Sequence, residues 1–200
     1  NKDELGLSKI AYNFMGGIMH SAEALTAWFN PTINSYKRIN APVTISGATW
    51  APNTITYSGN NRTHMIRVPG PGRFELRLMD GATNPYLLQA GIIAAGLDGI
   101  EKKHNPGKPL YINMYEESHK AKGAKKLPSS IEKALKHLSS SKVLNSAFGK
   151  SVVSSYIKLK NKEIKKYNSS MVKKLGFRGI KKSYKTNIIT QWEKDNTLDC

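Results

Sequence analysis

Two hundred residues, 39% of them hydrophobic, suffice for one domain with a real core or a domain with an appendage. The single cysteine, Cys200, excludes an intramolecular disulfide framework and suits a reducing cytoplasm. The net charge of +17 is lopsided, with eight Lys/Arg against six Asp/Glu in residues 1–100 and the other 23 against eight in residues 101–200.

The opening "NKDELGLSK" holds Lys-Asp-Glu-Leu far from the C-terminus, where alone that retrieval signal is read. It shows neither an initiator Met nor a signal-peptide pattern, and the expectation is a fragment of a longer protein. From Leu7 to Phe29, the residues Ile10, Phe14, Ile18, Ala22, Leu25 and Phe29 recur at spacings of three and four. That spacing predicts a long helix, and its Gly16-Gly17 pair suits the close approach of another element. "NPTINSYKRINAP" reads as a loop bracketed by Pro31 and Pro42. The short runs "VTISGATW", "TITYSG", "HMIRVP" and "RFELRLM", separated by Gly, Pro and Asn, predict an antiparallel sheet. "NPYLLQAGIIAAGLDGIEKK" predicts a buried helix with Asn84 at the N-cap and Pro85 in the first turn, too short and polar for a membrane span.

The last third is helical and rich in lysine. Ser129 with Glu132 three residues on forms a capping-box pattern, and Val153, Tyr156, Ile157, Ile164 and Tyr167 fall on one face of a following helix. The fold class expected is α+β, an antiparallel β-sheet with packed helices. Residues 1–126 form its helix–sheet–helix portion and residues 127–200 a helical extension of the same domain.

One stretch carries chemistry. In Arg73-Phe74-Glu75-Leu76-Arg77, strand alternation turns Phe74, Leu76 and Leu78 to a core and puts Arg73, Glu75 and Arg77 on the other face. Two readings fit. One is an ordinary antiparallel strand with a wet face; the other is a site with a metal ion on Glu75 and anionic groups on the arginine forks. No catalytic triad, metal-binding cysteine pair or P-loop accompanies it. His64, between Arg62 and Arg67, is the one histidine placed to join such a site. The basic second half is compatible with phosphate neutralisation on nucleic acid, but no zinc-finger spacing, RNP-type motif or helix-turn-helix signal goes with it, and a solvated lysine surface is expected.

Five blocks, "NPTINSYKR", "NNRTHMIRVP", "RFELR", "NPYLLQAGIIAAGLDGI" and "LPSSIEKALKHLSSSKVLNSAFGKSVVSSYIKLK", resemble in the same order the C-terminal half of glutamine synthetases. The resemblance spans nearly the whole chain. It implies an ATP-dependent ligase that phosphorylates the γ-carboxylate of glutamate and lets ammonia attack the acyl phosphate, with Mg2+ or Mn2+ as cofactor. By the same resemblance Arg38 and Arg77 hold glutamate, and Arg62 lies by the transferring phosphoryl group. Arg67 and Arg73 hold ATP, and Glu75 is a metal ligand. The resemblance further implies a cytoplasmic, ring-shaped homo-oligomer with sites between subunits, the remaining metal ligands lying upstream, and neither nucleic acid nor membrane as a partner.

Two departures accompany it. Many members of the family carry a flap Glu after "NSYKR" that guards the site and binds ammonium, whereas this chain runs Arg38-Ile39-Asn40-Ala41-Pro42. A Lys found in many members before the metal-ligand strand is replaced by "GPGR". These variants resemble a subgroup that includes ammonia-using enzymes and γ-glutamylmethylamide synthetases, so the resemblance leaves the amine open.

Overall fold

The computed structural model describes residues 4–41, 51–183 and 189–197, with the backbone alone over 172–183 and at 197. The first helix, α1 (Lys9–Phe29), starts where Ser8 caps it, its side chain accepting from the Ala11 amide, and ends at Asn30. Of its predicted stripe, Ile18, Ala22, Leu25 and Phe29 are fully buried, and Ile10 at the open end is 64% exposed. Trp28, Phe29, Leu25 and Ile18 anchor the core, each burial stabilising by about 2–3 kcal/mol.

The stretch read as a loop after α1 contains a helix, α2 (Ile33–Ile39). Two turns are too short to display a hydrophobic period, so the helix depends on its caps and its packing. Thr32 and Ser35 cap it reciprocally, each side chain accepting from the other's amide at 3.1 Å, and Ile33, Tyr36 and Ile39 are buried.

Three short strands follow, β1 (Tyr57–Ser58), β2 (Ile66–Gly70) and β3 (Arg73–Leu76), in the order β1-β2-β3. β2 and β3 form the expected antiparallel hairpin, turning through Pro71 and Gly72, whose φ of 79° is the glycine position of a type II turn. β1, however, runs parallel to β2, so the sheet is mixed. The connection does not reverse the chain; it circles through an Asn61 turn, where Asn61 Oδ1 accepts from the Thr63 amide and hydroxyl at 2.9 and 2.8 Å. The run "VTISGATW" lies outside the described residues.

Helix α3 (Pro85–Glu101) begins as its sequence predicts, with Asn84 accepting from the amides of Tyr86 and Leu87. It is less buried than its apolar sequence suggests, since Tyr86, Ile93 and Leu97 are exposed. Its glycine side faces α1. A Cβ on Gly17 would sit 2.0 Å from the Ala95 carbonyl oxygen and 2.6 Å from Gly99 Cα, so the two backbones touch there.

Helices α4 (Ile131–Ser140), α5 (Lys142–Phe148), α6 (Lys150–Ser183) and α7 (Gln191–Thr197) complete the chain. The cap of α4 is Ser130, whose hydroxyl accepts from the Lys133 amide, and not Ser129. Ser129 instead accepts from the Lys133 ammonium. On α6, Val153, Ile164 and Tyr167 are buried in the cluster that begins on α1, with Tyr156 and Ile157 packed against it. The Tyr156 hydroxyl donates to the Ala27 carbonyl at 2.7 Å. The architecture is α+β, and among the described residues no helix is long and apolar enough to cross a membrane.

Candidate active site

The sheet register builds the polar face. Arg67 pairs with Glu75 across β2 and β3 while Ile66 pairs with Leu76, so the charged partners share a face and stand side by side. Arg67 Nη1 donates to Glu75 Oε2 at 2.8 Å, and Arg67 Nε donates to Asn60 Oδ1 at 2.9 Å. On the apolar side Leu78 is fully buried, whereas Phe74 and Leu76 are half-buried against the core.

Arg73, 69% exposed at the tip of the hairpin, reaches within 4.0 Å of Glu75 Oε1. Arg62 stands exposed on the loop between β1 and β2, and its charge bears on both Glu75 and Arg77. The hydrogen bond from Arg67 holds the Glu75 carboxyl below its ordinary range, and the charges of Arg67, Arg73 and Arg62 add to that effect. Glu75 is therefore ionised throughout the neutral range. Arg77 follows β3, and its amide donates to the Met65 carbonyl at 2.9 Å. Partial burial lowers its pKa, the neighbouring arginines deepen that shift, and Tyr115 and Glu75 oppose it.

Arg38 comes to the same region from the last turn of α2. Its Nη2 donates to Asn30 Oδ1 at 2.8 Å and to the Leu78 carbonyl at 2.9 Å. Asn30, fully buried, donates its own amide to that carbonyl at 3.0 Å. The guanidinium is thus clamped between the end of α1 and the end of the strand segment. Burial lowers its pKa, with Asp80 opposing the shift and Arg77 reinforcing it. A cavity of about 200 Å3 opens beside it, lined by Thr32, Asn34 and Ser35 and by Asp80, Gly81 and Ala82.

All six predicted residues therefore gather about β2, β3 and the adjoining end of α2. Asn30, Asp80 and Tyr115 join them without a sequence signal. Asn30 reads as a helix end, Asp80 as a turn residue before Gly81, and Tyr115 arrives from a loop far along the chain. His64 does not join the site. It is fully buried, with Nδ1 3.0 Å from the Thr56 hydroxyl and Nε2 3.0 Å from the Ile112 carbonyl. The carbonyl can only accept, so Nε2 carries the proton and Nδ1 accepts from Thr56. Burial lowers the His64 pKa, and the ring is a neutral structural bolt.

For a hard divalent cation the β2–β3 face supplies one suitable oxygen ligand, Glu75. Among the described residues no three of His, Cys, Asp and Glu stand close enough to hold a metal ion. Glu75 is thus an ionised carboxylate set in a wall of guanidinium groups, a face chemically suited to anionic groups and to a divalent cation.

A mixed sheet presenting such a wall, with helices packed behind it, is an α+β architecture. The family model for the glutamine synthetase catalytic domain matches residues 1–177, and the chain belongs to that family. It is 52% identical over 199 residues to a glutamine synthetase of Rhizobium meliloti (strain 1021), covering all of this chain and 42% of that protein. It is 46% identical over 170 residues to a glutamate–methylamine ligase of Methyloversatilis universalis, covering 84% of this chain and 38% of that one. Among solved structures, the ADP complex of GmaS in its first conformation aligns over the whole chain and 42% of its own length, with a TM-score of 0.79 and 49% identity. The chain thus spans about two fifths of the length of these relatives.

Proposed function

We propose that this chain forms the arginine wall of an ATP-dependent glutamate–ammonia ligase, with residues 1–126 as part of the catalytic domain and residues 127–200 as its helical extension. The supporting observation is the Arg67–Glu75 pair at 2.8 Å, flanked by Arg62, Arg73 and Arg77, with Arg38 near enough to Arg77 for their charges to interact, in a chain 52% identical to a glutamine synthetase. In the reaction an oxygen of the glutamate γ-carboxylate attacks the terminal phosphorus of ATP, and the bond to ADP breaks. The nitrogen of ammonia then attacks the acyl carbon, phosphate leaves, and the nitrogen sheds its extra proton.

Both steps bring anions together, so catalysis rests on positioning and charge neutralisation. Arg67 and Arg73 hold the nucleotide phosphates, and Arg62 stabilises the phosphoryl group in transit. Arg38 and Arg77 hold glutamate with planar forks matched to carboxylates. Glu75 would be one ligand of Mg2+ or Mn2+, which when bound offsets phosphate charge. The working protein is a cytoplasmic homo-oligomer whose partners are small molecules.

A second reading, ligation of methylamine, is favoured by the likeness to the glutamate–methylamine ligase and by "RINAPV", which offers no flap carboxylate as counter-charge for ammonium. One methyl group contributes only about 1 kcal/mol in a pocket, too little to exclude ammonia. The test is kcat/KM for both amines with the full-length protein at one pH, corrected for the unprotonated fraction. Ammonia should be preferred, with weaker, detectable use of methylamine; a methylamine value tenfold above that of ammonia would establish the second reading instead.

A further inference from the structure

Two adjacent cations on α2 serve different parts of the molecule. Arg38 is held at the site by Asn30 and Leu78. Lys37, about 100° round the helix, is 4% exposed, and its ammonium lies 2.6 Å from Oε2 of a fully buried Glu193. Glu193 belongs to α7, at the far end of the chain, beyond residue 177 where the family match ends.

The carboxylate is organised before Lys37 reaches it. Glu193 Oε2 accepts from both the amide and the hydroxyl of Thr190, each at 2.7 Å, and Thr190 Oγ1 accepts from the Glu193 amide at 3.3 Å. This is a capping box at the start of α7, with the box carboxylate turned inward to a lysine. Trp192, on the same short helix, packs edge-on against Tyr167 of α6 with ring centroids 5.3 Å apart. α7 is thereby fixed to the helical body on one side and to α2 on the other.

A seven-residue helix has little stability of its own, and a buried ammonium that loses its carboxylate is strongly disfavoured where it stands. The position of α2 is accordingly coupled to that of α7. We propose that Glu193 is a positioning residue for the glutamate side of the site: through Lys37 it fixes α2, and with it the guanidinium of Arg38. The nucleotide side, built on β2 and β3, is independent of this latch. The proposal rests on the reading of Arg38 as a glutamate-binding residue.

The test uses the full-length protein and two variants, Glu193→Gln and the paired Lys37→Met/Glu193→Leu. Glu193→Gln should raise KM for glutamate tenfold or more while KM for ATP changes less than twofold. The paired variant removes both charges together and should fold even where Glu193→Gln does not, recovering most of the glutamate affinity. Hydrogen exchange supplies a readout without turnover: the amides of residues 33–39 should exchange faster in Glu193→Gln, and those of residues 66–76 should not. Unchanged exchange over residues 33–39 would overturn the latch. Faster exchange there with an unaltered glutamate KM, or an equal rise in both KM values, would overturn the positioning role. If the unaltered protein shows no glutamate-dependent turnover, the proposed function fails, and the exchange data alone then decide whether the latch exists.

Discussion

Arg67 and Glu75 meet because Ile66 pairs with Leu76, and a slip of β3 by one residue would turn Glu75 toward the core. The same register brings Arg77 out of the strand beside Tyr115 and Arg62. Arg77→Lys keeps the charge there but loses the planar fork. It should raise KM for glutamate by roughly 10- to 100-fold, the equivalent of losing a hydrogen bond to a charged group. Lys165→Ala, on the exposed side of α6, should leave kinetics unchanged and shift stability by no more than about 0.5 kcal/mol. Steady-state kinetics on both variants of the full-length protein distinguish these outcomes, and equal effects would remove Arg77 from the site.

His64 gives a second prediction at the same scale. Its folded pKa lies below the ordinary histidine value of about 6.5 because burial disfavours the charged ring. Below pH 6.5 the unfolded chain therefore binds a proton that the folded one refuses. Its contribution is fully present above that pH and is lost as pH falls toward the folded pKa, with a slope of up to about 1.4 kcal/mol per pH unit. His64→Gln should flatten this slope in denaturant titrations between pH 7 and 5. Part of the slope should remain, because burial also lowers the pKa of His20. An identical slope in the variant would contradict the neutral, buried assignment.

At the scale of elements, the helix pair α1 and α3 depends on glycine. Helix propensity alone favours Gly17→Ala by about 1 kcal/mol, but the new methyl would meet backbone atoms of α3 that cannot rotate away. Overpacking of that kind costs about 3 kcal/mol, so Gly17→Ala should lower Tm by roughly 4–8 °C. Gly70→Ala, with no heavy atom within 4 Å of the added Cβ and no positive φ, should change stability by less than about 1 kcal/mol. Thermal melts of the two variants test the contrast.

Much of this level was legible in sequence. The three-and-four spacing marked α1, Asn84-Pro85 marked the start of α3, and Gly16-Gly17 marked the contact between them. α2 was hidden because its two turns rely on a Thr32–Ser35 cap and on packing against elements distant in sequence. The parallel pairing of β1 was hidden because strand periodicity gives faces and not directions. At the site, the alternation in "RFELR" named a face without saying what fills it, and the roles of its residues came from the resemblance. Asn30, Asp80 and Tyr115 reach that face only through tertiary structure, so no local pattern announces them. The cap at Ser130, one residue past the expected Ser129, shows how closely matched adjacent serines are as cap acceptors.

At the scale of the whole molecule, the described residues gather several arginines at the site but no group of three His, Cys, Asp or Glu side chains able to hold a metal ion. The 200-residue chain by itself should release no phosphate when supplied with ATP, magnesium, glutamate and ammonium, whereas the full-length protein should. The central claim is that the arginine wall serves transfer of a phosphoryl group to the γ-carboxylate of glutamate. That transfer leaves a record, because the carboxylate oxygen that attacks phosphorus departs later with the phosphate. The most direct measurement supplies the full-length protein with glutamate labelled with 18O in its γ-carboxylate and reads the released phosphate by mass spectrometry. One labelled oxygen per phosphate is the result expected of an acyl phosphate formed at this site; phosphate released without label, its new oxygen drawn from water, would contradict the account.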